Sequence, residues 1–228
     1  TYVPDIYQEQ VIRSALVLKL HQYEDTGGII AAGTTSLPEH HGSMRTWDYR
    51  FCWFRDSYYT LKAFNEMGHF DELEKYFEFI QNILTRHQER IQPLYTIRGK
   101  PAAEEIHLPL EGYLGNQPVR IGNNANEQIQ NDVYGQVLVG LLPLFSDKRL
   151  SAHGTGLHRG LLDRLLFWIE KTMNEPDAGL WEFRNVKQVH TYTMLFHWAG
   201  CQAAAKLGEI IGDPELVRKA KRDRKSVV

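Results

Sequence analysis

Residues 45–56 interleave five aromatic with five charged side chains within twelve positions. This mixture suits a sugar: an aromatic face covers the apolar C–H patch of a pyranose ring, while carboxylate and guanidinium groups fork onto its hydroxyl pairs through charge-assisted hydrogen bonds. The plain alternative is that Trp47 and Trp53 anchor a core and the charges cap the following helix. A second segment, Gly179-Leu180-Trp181-Glu182, sets a carboxyl group beside a large aromatic. Such a neighbour can desolvate an acid and keep its proton on at neutral pH, which makes Glu182 a candidate general acid, although a loop glutamate is more often simply solvated.

Other chemistries find little support. His40-His41 stand together and His107, His153, His158, His190 and His197 are scattered, with no H-E-x-x-H or comparable ligand spacing, so no metal is expected. Neither a glycine-rich phosphate loop nor a G-x-S-x-G elbow occurs, and no cofactor is expected. The 26 basic and 28 acidic side chains nearly cancel to a net charge of -2, which argues against nucleic acid as a partner. No apolar run approaches the ~20 residues that span a bilayer, and residues 1–7 lack a signal-peptide core, so no membrane is expected. Cys52 and Cys201, far apart, form no disulfide framework and fit a reducing, cytoplasmic compartment. A chain that starts at Thr1 instead of Met is expected to be a piece of a longer polypeptide.

Helices must position these groups. Apolar spacings of three and four recur along the chain while strand alternation does not, so the fold class is all-α. A first helix over residues 6–23 carries the stripe Val11, Ile12, Ala15, Leu16 and Leu20. The second, 55–67, stops at Gly68, and the third spans 71–90. Further helices are predicted over 126–145, 156–173 and 189–211, the last ended by Gly212, and Asp213-Pro214 opens a seventh. The connections 25–54, 92–125 and 174–188 each follow an odd-numbered helix. If consecutive helices pair as antiparallel hairpins, all three emerge at one end and wall a common pocket.

From about residue 8 to 213 the chain resembles the catalytic domain of bacterial glucoamylase-type enzymes, glycoside hydrolase family 15, which also contains glucodextranases and some trehalases. Trp47-Asp48-Tyr49-Arg50 followed by Cys52-Trp53 and Arg55-Asp56, Leu110-Glu111-Gly112-Tyr113, Pro118-Val119-Arg120-Ile121-Gly122-Asn123, Asp132-Val133-Tyr134-Gly135 and Pro176-Asp177-Ala178-Gly179-Leu180-Trp181-Glu182 carry the resemblance. It implies an (α/α) toroid of the six-hairpin type, twelve helices in two layers, of which residues 1–228 would be one partial catalytic domain with about the first half to seven helices. It implies inverting exo-hydrolysis of α-glucosidic bonds in a glucose-containing oligosaccharide or polysaccharide, with Glu182 as general acid. Arg55 and Asp56 would clamp hydroxyls of the nonreducing-end glucose, Trp53 and Trp181 would line that subsite, Leu180 would offer its backbone carbonyl, and Arg120 would reach the sugar. Inversion needs a second carboxylate as base, ~6.5 to 9.5 Å away. In the family the base lies far downstream of the acid, so these residues alone are expected to be inactive, and their uncovered helix faces to self-associate. Phe183 and Met194 depart from relatives and leave the leaving-group specificity open, with trehalose as the alternative substrate. The rival reading is a noncatalytic carbohydrate-binding or scaffold remnant.

Overall fold

The computed structural model describes residues 2–86, 89–147, 149 and 159–227. Among them the predicted periodicities fold as seven α-helices: α1 (Gln8–Leu20), α2 (Phe54–Met67), α3 (Phe70–Arg86), α4 (Val133–Ser146), α5 (Arg159–Thr172), α6 (Thr191–Ile210) and α7 (Pro214–Ser226). The start predicted for the fifth helix, residues 156–158, lies outside the described residues, as does His153. The punctuation acts as its chemistry suggests. Gly68 takes the left-handed conformation at φ 73° and ends α2. Asp213 accepts the Leu216 amide at 2.9 Å, with Pro214 opening α7.

The core is built around α4, which contributes buried Val133, Tyr134, Val137, Leu138 and Leu141 and packs against α2, α5 and α6. Glycine sets the approach of α4 to α6, because a Cβ on Gly135 would fall onto the Phe196 carbonyl and one on Gly200 onto Gly135 itself. The arrangement is mostly helical and consistent with a partial α/α toroid.

The connections add short strands to the helices, and one helix start needs correction. The long connections are not strand-free: β1 (Cys52–Trp53) pairs antiparallel with β2 (Leu94–Tyr95), and β3 (Ile106–Leu108) with β4 (Val119–Ile121). The buried pair β1–β2 satisfies backbone groups that no water reaches, whereas β3–β4 is half-exposed. The predicted fourth helix also begins too early. Asn123 caps a short 3-10 turn over Asn124–Glu127 by accepting the Ala125 amide, Gln128 then leaves in extended conformation, and α4 starts only at Val133. The amide side chains of this stretch bond elsewhere, in competition with a helix.

Candidate active site

Trp53 closes β1 and Arg55 lies in the first turn of α2, so both are placed by the connection that follows α1. Glu182 lies in the connection after α5, on a tight turn closed by its own amide to the Gly179 carbonyl at 3.1 Å and by the Phe183 amide to that of Ala178 at 3.1 Å. The turn needs left-handed backbone at Gly179 (φ 68°) and also at Glu182 (φ 54°), where a side chain is disfavoured. Such an outlier persists only where surrounding contacts fix it, and it is a mark of functional positions.

Those contacts come from residues 128–131, the extended segment before α4. The Ala178 amide donates to the Ile129 carbonyl at 2.9 Å, and the Asn131 amide donates to Asp177 Oδ2 at 2.9 Å. Gln128 Nε2 donates to the Glu182 backbone carbonyl at 3.1 Å. The Glu182 carboxylate receives three donors on one oxygen: Oε1 accepts from Trp53 Nε1 at 2.8 Å, Arg55 Nη2 at 2.9 Å and Gln130 Nε2 at 3.0 Å. Connections after α1, α3 and α5 thus meet at one carboxyl group, as the alternation of loops predicts.

Arg55 also lines a cleft of about 460 Å³, together with Asp56, Tyr59, Ala31, His21 and Leu180 among others; Glu182 is not among its walls and meets it through Arg55. Burial works against the charge on Arg55, but Glu182, Asp56 and Asp132 outweigh it and hold the guanidinium ionised. Burial pushes the Asp56 carboxyl up, Arg55 opposes this, and the nearby Glu182 charge adds to it. A larger cavity of about 780 Å³ between α2 and α4, lined by Leu61, Val139, Gly140 and Pro143, shares no residue with this cleft.

Of the residues singled out in the sequence, Trp53, Arg55 and Glu182 are in direct contact, and Asp56 and Leu180 line the same cleft as Arg55. Trp181 projects outward, 77% exposed, so the aromatic that meets the carboxyl group is buried Trp53. Arg120 is not brought to Glu182. It is buried, donates to Met44 O at 3.2 Å, Thr46 Oγ1 at 3.3 Å, His107 Nε2 and Glu105. Glu105 in turn takes Arg184 at 3.0 Å. Burial alone would push the Glu105 carboxyl up, but Arg184 and Arg120 overcome it and hold it below the usual range. Trp47 stands between the two guanidinium groups, 4.6 Å from Arg120 and 4.3 Å from Arg184, and so ties the three loops together instead of anchoring a core. Phe183 stacks on His190 with ring centroids 6.2 Å apart. Gln128 and Gln130 are missing from the sequence reading because they fall inside the predicted fourth helix. The signal was the run Gln128-Ile129-Gln130-Asn131-Asp132, amide-dense and directly before an apolar helix.

A family model described as glycosyl hydrolases family 15 matches residues 5–228. The chain belongs to glycosyl hydrolases family 15. It is 35% identical over 210 residues to the trehalase of Thermoplasma volcanium, which covers 90% of the chain and 32% of that protein. It is 36% identical over 214 residues to the trehalase of Mycolicibacterium smegmatis, covering 91% and 31%. Trehalase 2 of Sulfolobus acidocaldarius is 31% identical over 220 residues, covering 96% and 38%. The chain therefore spans about a third of the length of the curated relatives it matches. No solved structure matches it significantly.

Proposed function

We propose that this chain forms the acid-bearing part of an inverting glycoside hydrolase that cleaves trehalose, with Glu182 as general acid. The observation that carries the reading is the convergence of Trp53, Arg55 and Gln130 on Glu182 Oε1, with Arg55 also lining the cleft of Asp56 and Leu180. A buried guanidinium and a neighbouring carboxylate offer paired hydrogen bonds to vicinal hydroxyls of a glucose ring, and Leu180 lines the same space. Glu182 then protonates the glycosidic oxygen as the bond to the anomeric carbon breaks. A carboxylate from outside these 228 residues takes a proton from the attacking water, so the chain alone is expected to show no turnover. The names of the relatives favour trehalose over the α-1,4-glucans of a glucoamylase. The free, buried thiols of Cys52 and Cys201 support a reducing, cytoplasmic setting.

The test is hydrolysis of trehalose, maltose and isomaltose by the native polypeptide, with the anomers followed by NMR as they form. Trehalose is expected to be preferred at least about tenfold in kcat/KM, a discrimination of ~1.4 kcal/mol, and to release β-glucose first from the attacked ring. Preference for maltose, or first release of α-glucose only, contradicts the proposal.

A further inference from the structure

We infer that Gln130 is a positioning residue that confines the catalytic proton to Oε2 of Glu182 and locks Arg55 against Oε1. This rests on the reading of Glu182 as general acid. Gln130 is 3% exposed, and both its amide hydrogens and its carbonyl oxygen are engaged. Its Nε2 donates to Glu182 Oε1 at 3.0 Å and to Gln128 Oε1 at 3.1 Å, and its Oε1 accepts from Arg55 Nη1 at 3.0 Å. The orientation is forced by its neighbours. Flipped, the amide would aim oxygen at two acceptor oxygens and N–H at a guanidinium that has no acceptor.

The consequence falls on Glu182. All three groups at Oε1 are N–H donors: an indole, a guanidinium and this amide. None can accept a proton, so an O–H at Oε1 would meet three hydrogens and no acceptor. The acid therefore carries its proton on Oε2, and Oε1 serves only to hold the carboxyl group in place. Gln128, bonded to Gln130 through its Oε1 and to the Glu182 backbone carbonyl through its Nε2, couples this side-chain register to the left-handed turn that bears it.

Gln130→Glu keeps the shape but replaces the donor by a carboxyl group that shares a proton with Glu182 Oε1; Gln130→Met keeps the length and removes all three bonds. Both variants, the parent and Glu182→Gln are compared in the native polypeptide, with melting curves to follow folding. The inference predicts that in the two Gln130 variants kcat for trehalose falls about 10- to 100-fold with KM changed less than about threefold. It also predicts that the alkaline limb of the kcat/KM profile moves up by about one pH unit in Gln130→Glu, because a like-charged neighbour retains the acid's proton. A purely structural role would lower the melting temperature and leave the limb in place. Parental kcat in either folded variant, or an unmoved limb in folded Gln130→Glu, overturns the inference while Glu182→Gln remains inactive. If instead Glu182→Gln hydrolyses trehalose like the parent, the reading of Glu182 falls, and the inference with it.

Discussion

Trp53 shows how one side chain serves both readings that the sequence left open. It is 3% exposed and packs with Tyr49 and Phe51, as a core anchor would, yet its indole nitrogen donates to Glu182 at 2.8 Å. Glu182, Trp53 and Arg55 were legible because their types are rare neighbours on loops and the family motifs carry them. Gln130 was not legible, since an amide announces no chemistry until its partners are placed. Arg120 was misplaced for a related reason: its motif lies in a loop that does reach the site, but buried Glu105 captures the guanidinium first. Trp53→Phe retains most of the aromatic packing and removes one charge-assisted donor. It is expected to lower kcat/KM for trehalose about 10- to 100-fold without unfolding the protein, as steady-state kinetics and circular dichroism would check. Activity within twofold of the parent would show that Arg55 and Gln130 suffice to hold the carboxylate.

At the scale of elements, helix positions followed from periodicity and from caps such as Gly68 and Asp213, whereas the paths of the connections did not. Their conformation depends on partners up to 129 positions away, such as Trp53 with Glu182, which local spacing cannot encode. The start of α4 is the instructive case, because residues 128–132 support the Glu182 turn on one side and open a helix on the other. Asp132, the residue before α4, is wholly buried; Gln136 Nε2 donates to its Oδ2 at 2.6 Å, and its Oδ1 takes no bond from the described residues. Burial raises its pKa from 3.8 to about 6, with Arg55 pulling part of the way back. The folded state therefore binds this proton more tightly than the unfolded chain. The stability it confers is complete below about pH 4 and is lost as pH rises through about 6, an effect of up to ~3 kcal/mol. Asp132→Asn is expected to match the parent in thermal stability near pH 4 and to exceed it at pH 7.5. A difference that fails to widen with pH across that window would contradict the assignment.

For the whole molecule, α1 carries the plainest sign of an uncovered surface. Its predicted stripe is real, but Ile12, Leu16 and Leu20 are 48%, 55% and 82% exposed, and Ala15 is the residue of the helix that is buried. An apolar stripe without a covering layer is what a partial toroid leaves, and contiguous patches of that kind recruit partners. The 228-residue chain is expected to self-associate through this face, with a sedimentation mass above its 26.4 kDa at tens of micromolar, and Leu16→Glu with Leu20→Glu is expected to shift it toward monomer. A clean monomer of the parent chain would show that the face is tolerated in water.

The proposed role of Glu182, delivery of a proton to the leaving oxygen, is tested most directly by giving Glu182→Gln, in the native polypeptide, two α-glucosides whose leaving groups differ sharply in their need for that proton. In trehalose the leaving glucose would depart as an alkoxide unless its glycosidic oxygen is protonated, whereas α-glucosyl fluoride releases fluoride with little assistance. The account predicts that kcat on trehalose falls about 100- to 10,000-fold, the usual contribution of general acid catalysis, while α-glucosyl fluoride is still hydrolysed within about tenfold of the parent rate. Equal losses on both substrates, or trehalose hydrolysis near the parent rate, would contradict it.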